Sequence, residues 1–71
     1  MEAIKDIHKK KICEADTQSG IIVHQYGKNE IWIRLLVGGE VMIKTQNSRT
    51  IIFRDSLLRM QVTRMGLEST G

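Results

Sequence analysis

A single cysteine, Cys13, in 71 residues leaves no partner for an internal disulfide, which excludes a small scaffold stapled by bridges. No apolar run approaches the roughly 18 residues of a membrane span, and the N-terminus carries Glu2 and Asp6 without an apolar signal core. A cytoplasmic protein with no membrane partner is therefore expected. Aromatic residues number three, Tyr26, Trp32 and Phe53, too few for an extended base-stacking platform. His8, His24 and Cys13 are at most three borderline metal ligands, and no C-x-x-C or H-x-x-x-H spacing brings any two together; no metal site is expected. The chain has neither a G-x-S-x-G elbow nor a phosphate-cradling G-x-x-x-x-G-K-S/T loop, and no spacing supports a Ser-His-Asp or Cys-His arrangement. An enzyme is disfavoured on these grounds, and no cofactor is expected.

What is present fits one small ordered domain over residues 1–71. A hydrophobic fraction of 41% with 27% charged residues is that of a globular chain rather than a disordered one. A core this small stabilises weakly, by about 3–5 kcal/mol, so self-association as a homodimer or higher is expected.

From Gly20 onward short β-branched runs alternate with polar or glycine punctuation at about ten-residue spacing, the pattern of an antiparallel meander or a small barrel. Ile21–Tyr26 reads as the first clear strand, followed by a Gly27-Lys28-Asn29 turn,. Ile31–Val37 is the next, with Ile31, Ile33 and Leu35 on one face and Trp32, Arg34 and Leu36 on the other,. Gly38-Gly39 turns the chain into Val41–Gln46, where Val41, Ile43 and Thr45 alternate with Met42, Lys44 and Gln46,. Asn47-Ser48-Arg49 reads as a turn before a strand over Thr50–Arg54, with Ile51 and Phe53 opposite Ile52 and Arg54. Asp55 or Ser56 can cap a helix from Leu57 to about Met65, since Leu58, Val62 and Met65 share a stripe and Gly66 suits the position after a helix end,. A final strand over Met60–Arg64 is the alternative. Residues 1–9 read as a short helical or flexible segment and Lys10–Ala15 as a weak strand, while residues 68–71 read as a frayed tail. The expected class is mainly β within α+β: about five short antiparallel strands, a short N-terminal helix and a C-terminal helix.

Eleven Lys and Arg against eight Asp and Glu give a net charge of +3. Between Lys28 and Arg64 the cations Lys28, Arg34, Lys44, Arg49, Arg54, Arg59 and Arg64 face only Glu30, Glu40 and Asp55, which suggests a phosphate-facing surface. Cations on strands also deter edge-to-edge pairing, so a solvated charge pattern competes with that reading. Lys9, Lys10 and Lys11 read as a solvated helix end. The expected nucleic-acid contacts are Arg54, Arg49, Lys44 and Arg34. Trp32, Leu36 and Met42 form the anchor set of the competing reading, a non-enzymatic protein-interaction module or inhibitor, because Trp and Met are enriched in interface cores.

Asn29-Glu30-Ile31-Trp32-Ile33, then Glu40-Val41-Met42-Ile43 after the Gly38-Gly39 turn, then Ile52-Phe53-Arg54-Asp55-Ser56-Leu57-Leu58 together resemble the carbon storage regulator family of small RNA-binding translational repressors. The resemblance runs from Gly27 to about Gln61, about half the chain. It implies that Arg54, at the end of the last strand, contacts RNA and that a helix follows it. A Sm-like or SH3-like small barrel is a related likeness that would also suit RNA. These likenesses favour RNA over DNA and a post-transcriptional regulator that acts by occluding its message.

Overall fold

The computed structural model describes residues 1–67; the tail expected over residues 68–71 lies outside them. The chain is all-β. Strands β1 (Glu2–Lys5), β2 (Lys11–Asp16), β3 (Ile21–Tyr26) and β4 (Asn29–Arg34) form one antiparallel sheet in chain order, and β5 (Glu40–Lys44), β6 (Ser48–Arg54) and β7 (Met60–Gly66) form a second. The two meanders do not close into a barrel. Because successive strands reverse, the β1–β2, β3–β4 and β5–β6 turns fall at one end of the molecule and the β2–β3, β4–β5 and β6–β7 turns at the other.

The sheets share one core. Ile4, Ile12, Cys13, Ala15, Ile22, Leu35 and Ile52 are buried together, with Ile33, Val41, Ile43, Met60 and Val62 packed against them. The register accounts for this set: Ala15, Ile22 and Ile33 stand in one cross-strand row of the first sheet, and Val41, Ile52 and Val62 in one row of the second. Side chains in such a row point to one face. The buried core is aliphatic; Tyr26, Trp32 and Phe53 are 69%, 62% and 38% exposed.

Two expected helices are strands. Over Leu57–Met65 the chain makes a turn at Asp55–Arg59 and then β7, the alternative read from Val62 and Thr63. At the N-terminus Glu2–Lys5 pairs with β2 in place of a helix. The C-terminal error has a clear cause: an Asp ahead of an apolar stretch serves equally as a helix cap or as the pivot of a tight side-chain-closed turn, and at the N-terminus Asp6 forms a turn of the same kind after β1. Here each Asp closes a hairpin. The count rises from about five strands to seven with β1 and β7. The turn expected at Asn47-Ser48-Arg49 closes earlier, where Thr45 N–H donates to Ser48 O at 2.9 Å, and Ser48 and Arg49 belong to β6.

Gly20 marks a close approach between the β2–β3 turn and Arg54 of the second sheet. Its φ is 76°, and a Cβ there would fall on Arg54 Nη1 and lie 2.6 Å from Leu35 O. Only glycine gives both the left-handed backbone and the room.

Candidate nucleic-acid interface

The strand directions sort the charges along the molecule. Lys5, Lys9, Lys10 and Lys11 lie at the β1–β2 turn, Lys28 at the β3–β4 turn, and Lys44, Arg49 and Arg64 beside the β5–β6 turn and the end of β7. Eight of the eleven cations thus sit at one end. The opposite end holds Arg34, Arg54 and Arg59 with Glu2, Asp16, Glu40 and Asp55.

At the basic end the register sets cation against cation in both sheets: Lys5 faces Lys11 across β1 and β2, and Lys44 faces Arg49 across β5 and β6. Directly opposed like charges destabilise a sheet. Lys11 is relieved by Glu14, whose Oε1 lies 2.7 Å from its Nζ; that bond also holds the Glu14 carboxyl below its usual range. Arg49 is half-buried and its Nε has no hydrogen-bond partner. Among the described residues, Lys5, Lys9, Lys10, Lys28, Lys44, Arg49 and Arg64 form no ion pair.

Asp6 organises this end from beneath. It is 3% exposed, and its Oδ1 accepts from the backbone N–H of His8 at 2.8 Å and of Lys10 at 2.9 Å, while Oδ2 accepts from Ser48 Oγ at 3.3 Å. These donors, the Lys10 N–H foremost, hold its carboxyl below the ordinary value. The bonds to His8 and Lys10 fix the β1–β2 turn, and the bond to Ser48 ties that turn to the second sheet. His8 Nε2 reaches Asn47 O at 3.1 Å, and Arg64 Nε donates to Lys5 O at 2.6 Å. Between the two turns lies a cleft of about 250 Å³ lined by Asp6, His8, Lys10, Ile12, Thr45, Gln46 and Asn47. It offers backbone and side-chain hydrogen bonds between a rim that carries Lys10 and His8 and a polar rim of Thr45, Gln46 and Asn47.

The four cations expected to contact nucleic acid separate. Lys44 and Arg49 come together as neighbours across the ladder at the basic end. Arg34 is exposed at the opposite end, facing Ile21. Arg54 is there too, but inward and only 7% exposed. Its Nη1 donates to Leu35 O at 2.9 Å and its Nη2 to Gln18 O at 3.1 Å. This guanidinium is spent on the chain's own carbonyls, which join the β2–β3 and β4–β5 turns to the end of β6. The sequence placed Arg54 beside Ile52 on one face, and that alternation was the signal of its burial. What sequence reasoning passed over is Lys9 and Lys10, taken as a helix end, with Lys5 and Tyr26 at the same end.

The anchor set also separates. Trp32 lies opposite Val23 on the outer face of the first sheet, Met42 lies opposite Ile51 on the outer face of the second, and Leu36 belongs to the β4–β5 connection. All three are more than half exposed, on three different surfaces.

Cys13 is buried, and burial pushes its thiol up to about 11, where it stays protonated and inert. His24 Nδ1 is 2.8 Å from Ile12 O. Among the described residues no group of three or more His, Cys, Asp and Glu is gathered as a metal site requires, and no helix is long and apolar enough to cross a membrane. No family model matches this chain, and no curated protein or solved structure is significantly similar to it.

Proposed function

We propose that this chain is a nucleic-acid-binding module that takes single-stranded RNA across its basic end and regulates by occlusion. The observation that carries the reading is the opposed like-charge couple of Lys44 with Arg49, at the same end as Lys5, Lys9 and Lys10, none of which forms an ion pair among the described residues. A sheet that sets cation against cation gives up stability in the free protein, and a phosphate between them reverses the sign of that term. Lys10 and His8 on one rim and Gln46 and Asn47 on the other line the cleft, where the two amides face base edges, and Lys44 and Arg49 stand beside it on the outer face of the second sheet. Tyr26, 69% exposed at the same end, gives one base a ring to stack on.

A flexible single strand suits these short, uneven turns better than a duplex does. Among the described residues there is no helix to enter a major groove,. The preference for RNA is carried over from the family likeness of the sequence, although the two features that likeness implies, an outward Arg54 and a helix after it, are not those of this fold. Occlusion needs no catalytic group: a strand held along two rims is closed to other machinery for as long as it stays bound.

Titration of a labelled RNA of about a dozen nucleotides, with single-stranded and duplex DNA of equal length alongside, tests the proposal. Saturable binding to RNA at low salt, weakened as salt rises, is expected. No saturable binding by folded protein at low salt overturns it, and equal or tighter binding to duplex DNA overturns the single-strand reading.

A further inference from the structure

The end opposite the eight gathered cations carries exposed apolar side chains among its balanced charges. Leu36 and Val37 at the β4–β5 turn are 68% and 52% exposed, and Leu57 and Leu58 at the β6–β7 turn are 67% and 51% exposed. The two turns are neighbours: Gly38 N–H donates to Arg54 O at 2.7 Å and Arg54 N–H to Gly39 O at 3.1 Å. The Arg54 guanidinium, bonded to Leu35 O and Gln18 O, fixes the platform under them. Four large aliphatic side chains exposed on neighbouring turns are an apolar set of the kind that marks an interaction surface,.

Leu58 adds a conformational argument. It stands at φ 64°, a left-handed backbone that glycine adopts freely and leucine only at a cost. Strain of this kind at an exposed, apolar turn tip points to a use for the side chain.

We infer that this end pairs with the same end of a second copy, forming a two-fold dimer. Charge selects this occupant. Two copies that meet by their basic ends bring sixteen cations, eight from each, against six carboxylates, Asp6, Glu14 and Glu30 of each. At the opposite end Arg59 is bonded to Asp55, while exposed Arg34 and Glu40 form no ion pair among the described residues, so a two-fold contact that sets Arg34 of each copy against Glu40 of the other pairs both. Arg59, although bonded to Asp55 Oδ2 through Nε at 3.1 Å, keeps a side chain 64% exposed. The pairing covers the strained leucine, enlarges a small aliphatic core and directs the two basic ends away from each other. It stands on this end alone and does not depend on the basic end binding RNA.

Sedimentation equilibrium without nucleic acid, from about 5 to 500 µM, tests it on wild type, on Leu57→Lys with Leu58→Gly, and on Met42→Lys, which alters the exposed outer face of the second sheet. Wild type should pass from 8.1 kDa to twice that mass within the range, with little dependence on salt because the contact is apolar and charge-balanced. The double variant should associate at least tenfold more weakly while keeping the wild-type circular dichroism spectrum, and Met42→Lys should associate as wild type does. A wild type that stays at one chain's mass throughout overturns the inference. So does a double variant that associates normally, or an association lost in Met42→Lys.

Discussion

Asp6 and Asp55 build the same turn at opposite ends of the molecule. Each carboxylate Oδ1 accepts from the backbone N–H two residues on and from that four residues on, His8 and Lys10 for Asp6 and Leu57 and Arg59 for Asp55, all at 2.8–2.9 Å. Each Asp N–H donates to the carbonyl four residues later at 2.9 Å. The fourth residue of each turn is left-handed, Lys9 at φ 67° and Leu58 at φ 64°. One turn thus displays a lysine at the basic end and the other a leucine at the opposite end, in the position where glycine is most at ease.

Replacing either residue by glycine should therefore stabilise the free monomer. The relief of left-handed strain is offset in part by the larger entropy of an unfolded glycine, leaving a gain of about 0.5–1 kcal/mol for Lys9→Gly and for Leu58→Gly. Urea unfolding at low micromolar concentration reads this directly. A loss of stability in both variants would mean that the side chains contribute packing absent from the turn geometry.

Arg54 should behave as a core residue. Arg54→Ala removes the charged donors to Leu35 O and Gln18 O and leaves a void beneath Gly20, at an expected cost of about 3 kcal/mol. Arg54→Lys keeps a cation but not two separated donors, and should lose about 1–2 kcal/mol. Gly20→Ala drives a methyl onto the same guanidinium and should destabilise comparably to Arg54→Ala. Surface arginines cost within about 0.5 kcal/mol when replaced, so thermal melts of these variants separate an internal Arg54 from an outward one.

Much of this was legible in the sequence because alternation was legible. Ile21–Tyr26 fell where the strand was read, Ile33 and Leu35 turned inward as their period required, and Val41 and Ile43 packed while Met42 and Lys44 stayed out. The two terminal segments failed where the local chemistry was degenerate. Leu58, Val62 and Met65 satisfy a helical stripe, yet Met60 and Val62 also alternate against Gln61 and Thr63, and the left-handed Leu58 is invisible without coordinates. The site was less legible than the fold, since it is made by strand direction. Lys9 and Lys44 become neighbours in function only when β1–β2 and β5–β6 turn at the same end, and no spacing in the chain carries that. Arg54 shows the converse: its type suggested a ligand, and its parity with Ile52 had already placed it inside.

Acid should unfold the protein through its turn carboxylates. Asp55 is held down to about 2, from an ordinary 3.8, chiefly by the Gln61 amide and then by the backbone N–H of Arg59. A carboxyl whose folded value is depressed contributes stability that is complete above its unfolded value and is lost as pH falls toward the folded one. Stability should be level at neutral pH, then decline between about pH 4 and 2, with Asp6 adding in the same direction. Asp55→Asn keeps an oxygen for the Leu57 and Arg59 N–H groups but no ionisable group, so its urea midpoint should be lower at pH 7 and flatter below pH 4. An unchanged acid slope in that variant would remove Asp55 from the account.

The opposed couple of Lys44 and Arg49 makes the most discriminating prediction for function, because it moves stability and binding in opposite directions. In the free protein two cations facing across a ladder repel, so Lys44→Gln or Arg49→Gln should raise stability by a few tenths of a kcal/mol. If the couple grips phosphate, each lost contact also removes its share of counterion release, and the slope of log affinity against log salt should fall by about 0.7 per contact on a single strand, or about 1.4 for the double variant. Lys9→Gln with Lys10→Gln should give the same reduction from the other rim of the cleft. Arg34→Gln, at the far end, should leave the slope unchanged. An ordinary solvated charge pattern gives a different signature: every cation contributes to weak non-specific attraction, and Arg34→Gln lowers the slope as much as any single change at the basic end. Salt-dependent titrations of the three variants, read beside their urea midpoints, decide between a built site and a merely positive surface.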